Sequence, residues 1–403
     1  MRVALLTYST KPRGGVVHTL NLAEALTGLG VEVTVWTLGR GGDAAFFRPV
    51  DPAVTVRVVP FEAADSEAVG ARIMRSINAL RSAFTPADYD IVHAQDCISA
   101  NAVDRCIRTI HHLDTFTTPE LAACHERAII EPYAHICVSA AVAAEVHTGW
   151  GLHPTVIPNG VEYHRFATAS ASPARLGWSR RLGPYILALG GIEPRKGSLD
   201  LLEAFALLRR DHPHLRLVYA GGETLFDYRA YRADFDSRAT RLGIQPTILG
   251  TVPHDSLPAL VADAALVPFF STKEGFGLAA MEALAAGVPV VGRDLPVLRE
   301  VFGDAISYAT NPSDMATTMA QSLCREPSAT KRGKALAARF GWDKAATSHL
   351  EFYRAHAGTT PATDASVCAA LPLDYQAATA GTDTNGEPVK QRSAPSALSP
   401  LRS

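Results

Sequence analysis

Between two apolar segments the sequence reads Ser271-Thr-Lys-Glu-Gly-Phe-Gly-Leu-Ala-Ala-Met-Glu-Ala-Leu-Ala-Ala-Gly-Val-Pro-Val-Val291. The pattern predicts a strand over Ala264–Phe269, a tight glycine turn, a short helix and a second strand. Glu274 lies in the glycine-flanked loop. Glu282 lies inside an otherwise apolar helix, where a carboxylate is costly unless something pairs with it. A strand, turn, helix and strand in succession indicate an α/β fold with a parallel sheet.

The same stretch suits a ligand that carries both an anion and hydroxyl groups. An anion can bind the free backbone N–H groups at the start of a helix, and ionised carboxylates accept hydrogen bonds from hydroxyl donors. Gly275 and Gly277, on either side of Phe276, allow the backbone to approach a ligand closely. Nucleotide-sugars combine these features. The alternative is that Glu282 is a solvated surface residue, which its apolar neighbours disfavour.

Length and composition favour a globular protein of two domains. The chain has 403 residues, is 47% hydrophobic and 19% charged, and carries a net charge of −2. This length exceeds the usual size of a single core, and the near-neutral charge argues against nucleic acid as a partner. Six cysteines without C-x-x-C spacing fit a reducing compartment. Since we find neither a signal-like segment nor a long apolar run, we expect a cytoplasmic protein.

Apolar runs alternate with helical segments in two successive α/β halves, each resembling a Rossmann fold. The predicted strands are Val3–Thr7, Val31–Thr37, Val54–Val59, Asp90–His93, Thr109–His112, Ile136–Ser139, Thr155–Pro158, Tyr185–Leu189, Leu215–Ala220, Thr247–Leu249, Ala264–Phe269 and Pro289–Gly292. The predicted helices are Val16–Leu29, Glu67–Phe84, Ala140–His147, Leu199–Arg210, Arg229–Leu242, Pro312–Cys324 and Trp342–His356.

These elements define the expected domains. We predict a first domain over residues 1–166 and a second over residues 184–341, with a cleft between them and an interdomain linker over about Ala167–Gly183. Residues 342–357 are predicted to form a C-terminal helix that packs back towards the first domain. Residues 358–403 are rich in Ala, Thr, Ser, Pro and Gly, and we interpret them as a disordered tail.

Each half also has a glycine-containing loop directly after its predicted first strand. Gly14-Gly15 precedes the first helix and exposes helix-start N–H groups to a phosphate. In the second half, Gly190-Gly-Ile-Glu-Pro-Arg-Lys-Gly197 places the cations Arg195 and Lys196 beside a helix start, which suits a diphosphate. An ordinary solvated turn is the alternative for this loop. The first loop is not G-x-G-x-x-G, so a dinucleotide site is disfavoured.

Polar residues follow two predicted strands of the first half, in Asp90-Ile-Val-His-Ala-Gln-Asp96 and Arg108-Thr-Ile-His-His-Leu-Asp114. We interpret His93 as a packed core histidine. We interpret the pair His111-His112 as functional, because histidine can position a sugar hydroxyl or transfer a proton near pH 7. Capping of the following helices by Asp96 and Asp114 is the alternative. A metal site is the weaker reading, since neither H-E-x-x-H nor a Cys/His cluster occurs.

The segment Arg72–Phe84 has an apolar stripe and three arginines. Core packing with a solvated basic face is the usual explanation of such a pattern. The minority reading is a contact with an acidic acceptor or with anionic lipid, which would place the protein peripherally at the inner face of the membrane.

The pattern Glu274-Gly-Phe-Gly-Leu-(x)₃-Glu282-Ala-(x)₃-Gly287-x-Pro-Val-Val291 resembles the E-x₇-E signature of retaining, family 4 glycosyltransferases with the GT-B fold. The resemblance extends from residue 1 to about residue 356. It includes, in the right order, Gly14-Gly15, Asp90–His93, Val156–Val161 and Arg195–Gly197. It implies two Rossmann-like domains that face each other across a deep cleft.

The resemblance also implies a role for each site residue. Glu282 would bind the donor ribose, and Glu274 would contact the hexose. Arg195 and Lys196 would neutralise the leaving diphosphate, and His111 or His112 would orient the sugar or acceptor. The implied catalytic residues are His111, His112, Arg195, Lys196 and Glu274. The implied donor-binding residues are Gly14, Gly15, Gly191, Arg195, Lys196, Glu274, Gly275, Phe276, Gly277, Leu278 and Glu282.

We therefore expect a retaining glycosyltransferase that moves a hexose from a UDP- or GDP-sugar to a glycan, lipid or small-molecule acceptor. No cofactor or bound metal is expected, because cationic side chains and a helix N-terminus stabilise the leaving charge. The alternatives are a nucleotide-sugar epimerase or hydrolase of the same fold, and a non-catalytic sugar-nucleotide-binding protein. One departure is Gly191, where the family often has arginine, and Arg195 would take over its task.

Overall fold

Two parallel β-sheets, each flanked by helices, form the framework of the protein. The computed structural model describes residues 1–62, 64, 67–114, 116, 118–172, 177–222, 228–324 and 327–357. The strands of a parallel sheet are covered on both faces, so they consist of continuous apolar runs. The first strand illustrates this, since the side chains from Val3 to Leu6 are fully buried. The predicted tail, residues 358–403, lies outside the described residues.

The first sheet has seven parallel strands in the order β3-β2-β1-β4-β5-β6-β7. Its strands are β1 Arg2–Leu6, β2 Glu32–Arg40, β3 Thr55–Phe61, β4 Ile91–Ala94, β5 Ile107–Ile110, β6 Ala134–Cys137 and β7 Thr155–Val156. The helices between them are α1 Gly14–Gly28, α2 Val69–Ala83, α3 Cys97–Asn101, α4 Pro119–Ile130 and α5 Ala140–Trp150. The strand order reverses between β1 and β4, and ligands bind at such switch points in open α/β sheets.

The second half repeats this arrangement. Its strands are β8 Tyr185–Leu189, β9 Arg216–Ala220, β10 Thr247–Ile248, β11 Val267–Phe269, β12 Val290–Arg293 and β13 Ser307–Ala309. They form two parallel three-stranded groups, β10-β9-β8 and β11-β12-β13. Backbone hydrogen bonds from Leu187 to Leu266 and from Ala265 to Tyr185 join β8 to the segment before β11. The order therefore reverses between β8 and β11, as it does in the first half.

Ten α-helices of the described residues follow the first sheet along the chain. They are α6 Tyr163–Ala171, α7 Gly177–Leu182, α8 Ser198–Leu208, α9 Arg229–Arg241, α10 Leu257–Asp263, α11 Leu278–Ala285, α12 Pro296–Phe302, α13 Pro312–Leu323, α14 Pro327–Ala337 and α15 Trp342–His356. Helix α15 packs on α1, and its residue Tyr353 is fully buried in the core of the first sheet. None of the helices in the described residues is both long and apolar enough to cross a membrane.

Two predictions about the elements are corrected by the structure, and one strand was not predicted. Most of the expected linker is helical, because Phe166 anchors α6 against the second-half core. Strand β5 ends at Ile110, two residues earlier than predicted, so His111 and His112 lie in the loop that follows it. Strand β13 was not predicted, since its three residues at the end of β11-β12-β13 form too short an apolar run.

Two contacts join the halves near the carboxyl ends of the strands. The Glu300 carboxylate accepts hydrogen bonds of 2.7 Å from the backbone N–H groups of Ala140 and Ala141, at the start of α5. The backbone of Gly275 lies against the carbonyl oxygen of His111, and a Cβ added at Gly275 would overlap with that oxygen. The two halves thus meet across the place where the site residues lie.

The apolar stripe in Arg72–Phe84 packs in the core, as expected. Ile73, Ile77, Leu80 and Phe84 are buried against the first sheet. On the basic face, Arg75 pairs with the Glu67 carboxylate at 2.8 Å. This packing accounts for the stripe without a membrane.

Candidate active site

The predicted site residues follow the carboxyl ends of four strands, and a residue that was not predicted follows a fifth. In the first half, Gly14 and Gly15 begin α1 after the loop that follows β1, His111 follows β5, and the unpredicted Gln95 follows β4. In the second half, Gly190-Gly191 follows β8 and the Ser271–Gly277 loop follows β11. Since parallel strands bring their carboxyl ends to the same edge, each sheet presents these loops together.

A compact ionic cluster forms around Glu274. The ammonium group of Lys196 lies 2.7 Å from the Glu274 carboxylate, and Nη1 of Arg195 lies 3.2 Å from it. The Ser271 hydroxyl donates a third hydrogen bond at 2.8 Å. Burial by itself would raise the pKa of Glu274, but the charges of Lys196 and Arg195 outweigh it and lower the pKa to about 2. Glu274 is therefore ionised at neutral pH.

Arg195 connects this cluster to a second carboxylate. Its Nη2 lies 3.2 Å from Glu193, and its Nη1 also donates to the backbone oxygen of Lys273 at 3.3 Å. The charge of Asp114, from the loop after β5, also acts on Arg195. Although burial lowers the pKa of Arg195, these carboxylates and Glu274 raise it overall. Cations therefore concentrate between β8 and β11.

Two glycines shape the loops around this cluster. Gly277 has a φ of 98° and immediately precedes α11, and a Cβ added there would lie 3.0 Å from the Phe302 ring. Gly197 has a φ of 64° and immediately precedes α8, where a Cβ would overlap with the carbonyl oxygen of Phe270. Both backbones adopt a left-handed conformation that other residues rarely take. Helices α8 and α11 thus begin without a side-chain cap.

Glu282 lies apart from the ionic cluster, inside α11. No hydrogen-bond partner of its carboxylate is found in the part of the chain that the structure describes. Burial, followed by the negative charge of Glu162, raises the pKa of Glu282 to about 8, against the opposing charge of Arg165. In the free protein this carboxyl group therefore carries a proton at neutral pH.

The two predicted functional histidines have different surroundings. The His111 ring packs on His18 with 4.8 Å between ring centroids, and its Nε2 lies 3.2 Å from Oε1 of Gln95. Burial lowers the pKa of His111 well below its usual range, and the neighbouring groups His18 and Arg108 lower it further. His112 instead contacts Asp114 at 3.3 Å. Asp96 caps α3, as its alternative reading held, whereas Asp114 pairs with His112.

His93 is a buried core histidine, as interpreted from the sequence. Its two ring nitrogens lie 2.7 Å from the Tyr353 hydroxyl and 2.7 Å from the Thr109 hydroxyl. His18 and His349 are also fully buried next to it, between α1 and α15. Burial lowers the pKa of His18 to about 3 and that of His349 to about 4.

These buried histidines predict a loss of stability in mild acid. An unfolded histidine has a pKa near 6.5, so between about pH 6.5 and pH 4 the unfolded chain binds more protons than the folded one. The free energy of unfolding should fall as the pH drops, by up to about 1.4 kcal/mol per pH unit for each neutral histidine. Urea unfolding at pH 7.5 and 5.5 measures this.

Glu282 has the opposite effect on the pH dependence of the unfolding free energy, because its pKa is raised in the folded protein. The contribution of the histidines is therefore isolated by comparing variants. His349→Gln should reduce the difference in unfolding free energy between the two pH values. The matched control His153→Gln replaces an exposed histidine and should leave that difference unchanged. An identical pH dependence in His349→Gln and the wild type would contradict the prediction.

Sequence reasoning missed several residues around the site. Ser271 and Glu193 contact the charged cluster, and Gln95 contacts His111. Gln95 directly follows β4, and that position was a usable signal, since the carboxyl end of a parallel strand faces the ligand. No group of three or more His, Cys, Asp or Glu side chains that could hold a metal occurs among the described residues.

Comparisons with known proteins identify the family. The model described as "Glycosyltransferase Family 4" matches residues 12–165, and that described as "Glycosyl transferases group 1" matches residues 180–335. D-inositol 3-phosphate glycosyltransferase of Mycolicibacterium smegmatis is 30% identical over 87% of this chain and 90% of that protein. Glycogen synthase of Mycobacterium tuberculosis is 29% identical over 88% of this chain and 95% of that protein.

A solved structure shows the same architecture. The Anabaena protein HepE in complex with UDP and glucose superposes with a TM-score of 0.67 at 19% identity, covering 88% of this chain and 100% of that one. The arrangement of two Rossmann-like domains is thus the GT-B fold. The chain belongs to the family 4, group 1 glycosyltransferases, and it is a transferase enzyme. The resemblance read from the sequence is confirmed at this level.

Proposed function

We propose that this glycosyltransferase uses a nucleotide-sugar donor and transfers its hexose, with retention, to an acceptor bound by the first domain. The observation that carries the proposal is the pair Arg195 and Lys196 at the cleft edge, held by the buried Glu274. Two adjacent cations match the charge of a diphosphate. The complexes of HepE with UDP and glucose lend support through a shared fold.

In this proposal each part of the donor has its own set of contacts. The diphosphate binds Arg195 and Lys196, and it also approaches the uncapped N-termini of α8 and α11. As the cations turn towards the diphosphate, the ionised Glu274 becomes available to sugar hydroxyls. The ribose hydroxyls are assigned to Glu282, whose carboxyl group otherwise has no partner in the described chain.

Charge development on the leaving diphosphate is the step that these residues accelerate. When the glycosidic bond breaks, negative charge grows on the phosphate oxygen next to Lys196 and Arg195. Fixed cations in a closed site stabilise this charge without reorganising, so we propose that no bound metal is required. Retention follows if the acceptor attacks from the same face as the leaving group, assisted by the donor phosphate.

The raised pKa of Glu282 makes donor binding pH-dependent. Ribose hydroxyls donate best to an ionised carboxylate, so binding should release up to one proton from Glu282 below pH 8. We expect the affinity for UDP or GDP to rise about fivefold from pH 7 to pH 8, as the ionised fraction of Glu282 rises. Calorimetric titration in two buffers of different ionisation enthalpy measures the released proton.

The matched variant is Glu282→Gln, which keeps the shape of the side chain and removes its titration. This variant should bind the nucleotide with an affinity that does not change between pH 7 and pH 8. An unchanged proton release in Glu282→Gln would contradict the assignment of Glu282 to the ribose.

The proposed activity is tested with a panel of UDP-, GDP- and ADP-sugars. A donor that binds only the folded state raises the melting temperature, so thermal shift selects the donor. Release of free nucleoside diphosphate is then measured with and without candidate acceptors. Release that depends on an acceptor supports transfer. Donor consumption without any acceptor indicates the epimerase or hydrolase alternative, and binding without turnover indicates a non-catalytic sensor.

A further inference from the structure

A buried chain of side chains connects His111 to helix α15. Gln95 is almost fully buried, and its Oε1 lies 3.2 Å from Nε2 of His111. Its Nε2 lies 3.3 Å from Nε2 of His93. On the far side, Nδ1 of His93 lies 2.7 Å from the Tyr353 hydroxyl. Four side chains from β4, α15 and the loops after β4 and β5 are therefore linked in one line.

The amide of Gln95 decides where the protons lie. An amide NH₂ group only donates, so Nε2 of His93 must accept from it. The proton of His93 is then on Nδ1, from which it is donated to the Tyr353 oxygen. The single lone pair of Nε2 is shared between the Gln95 amide and the Thr109 hydroxyl, which lies 2.7 Å away. An amide oxygen only accepts, so Nε2 of His111 carries a hydrogen.

A neutral imidazole has one proton, which leaves a lone pair on Nδ1 of His111. Burial favours the neutral form of His111, and so does the charge of Arg108 on β5. The other titratable groups that face His111 are His18 on α1, His112 in the same loop and His93 on β4. No partner for Nδ1 is found among the described residues, and the side chain is partly exposed.

The ring is also oriented by its packing. A Cβ built at Gly15 would lie 3.6 Å from Cδ2 and 3.7 Å from Nε2 of His111, so this edge of the ring faces α1 and Gln95. The edge that bears Nδ1 lies opposite. The carbonyl oxygen of His111 meanwhile contacts the Gly275 loop of the second domain. His111 is thus held between the two domains, and its Nδ1 is free to accept a hydrogen bond.

We propose that Gln95 is a positioning residue that holds His111 as the Nε2-protonated tautomer, with Nδ1 presented as an acceptor for a substrate hydroxyl. The proposal rests on the proposed function, because it takes the hydroxyl to belong to the transferred sugar or to the acceptor. Gln95 itself does not touch substrate. It acts by fixing which nitrogen of His111 is free.

The tautomer is measured directly by ¹⁵N NMR of the histidine rings, with His111→Asn used to assign the signals. In the wild type we expect a protonated Nε2 and an unprotonated Nδ1 at His111. Gln95→Leu removes both hydrogen bonds and should give a mixture of tautomers. The control Thr109→Val leaves Gln95 in place and should keep the wild-type pattern. A protonated Nδ1 in the wild type, or a wild-type pattern in folded Gln95→Leu, would overturn the proposal.

The pH–rate profile gives a second test, since it would not shift if Gln95 only supported the fold. Gln95→Glu still accepts from Nε2 of His111, but its charge favours the imidazolium. We expect the acidic limb of the pH–rate profile to move up by at least one pH unit. Gln95→Leu should lower kcat roughly tenfold or more, because a misplaced group costs rate. An unshifted acidic limb in Gln95→Glu would contradict the proposal.

Donor hydrolysis and the NMR result together separate the remaining outcomes. If the hydroxyl belongs to the donor sugar, Gln95→Leu also slows donor hydrolysis in the absence of acceptor, whereas an acceptor hydroxyl affects transfer only. The NMR result needs no substrate. If the predicted tautomer is found but no nucleotide-sugar is turned over, the positioning by Gln95 stands and the proposed function fails.

Discussion

Replacing Lys196 with alanine should lower kcat by roughly 100-fold or more, because removing one preorganised group that stabilises developing charge costs this much. Lys196 lies 2.7 Å from Glu274 and borders the small cavity between β8 and β11. The carboxylate would keep Arg195 and Ser271 as partners in the variant, so the loop should remain folded. Release of nucleoside diphosphate in the presence of donor and acceptor measures the effect.

The matched control is Lys331→Ala, which removes an exposed cation on α14 of the same domain. It changes the net charge by the same amount and should turn over at the wild-type rate. A long-range effect of charge would slow both variants equally. A wild-type rate in Lys196→Ala would show that the leaving charge is stabilised elsewhere.

Replacing Gly275 with alanine should have an effect of similar size through a different cause. The added methyl group would overlap with the carbonyl oxygen of His111, so the domains could not approach as closely as they do. Displacing reacting groups by about 1 Å costs roughly 100-fold in rate. We expect kcat/KM to fall by this factor, whereas nucleotide affinity changes less, since Lys196 and Glu282 lie on the second domain.

The control for this prediction is Gly149→Ala, in helix α5 of the first domain. Apart from the neighbouring residues and the backbone of α5 itself, no atom of the described residues lies within 4 Å of a Cβ built at Gly149, so the methyl group fits there without a change in structure. This variant should have wild-type kinetics. Wild-type turnover in Gly275→Ala would mean that transfer does not need the contact between His111 and the Gly275 loop.

Much of the fold could be predicted because its signals are local. Strand β8 and helix α15 have the predicted boundaries, since each is a periodic or continuous apolar pattern with clear ends. The Ser271–Gly277 loop was also predictable, because glycines directly after a strand indicate a tight turn. These features depend on neighbours in sequence.

The parts that sequence reasoning missed depend on residues far apart in the chain. Glu274 pairs with Lys196, which is 78 positions away, and neither residue alone indicates this ion pair. Gln95 owes its role to His111 and His93, whose approach is set by the strand order of the first sheet. The linker was mistaken for irregular chain because the packing of Phe166 against the second domain outweighs its mixed local composition.

Glu282 illustrates a different limit. The sequence indicated a carboxylate in an apolar helix, but its protonation depends on burial and on the charge of Glu162, the residue before α6, which only the fold brings near Glu282. A raised pKa in a cleft is a feature of functional sites. In the function proposed above, Glu282 is therefore a group that ionises as the donor binds rather than a fixed anion.

The cations between β8 and β11 are proposed to bind the diphosphate of a nucleotide-sugar. Calorimetric titration of UDP, GDP and ADP into the wild type and Lys196→Ala tests this claim most directly. We predict that the wild type binds at least one of these nucleotides, that Lys196→Ala binds it at least about tenfold more weakly, and that Lys331→Ala matches the wild type. The absence of binding by all three nucleotides, or equal affinity in Lys196→Ala, would contradict the claim.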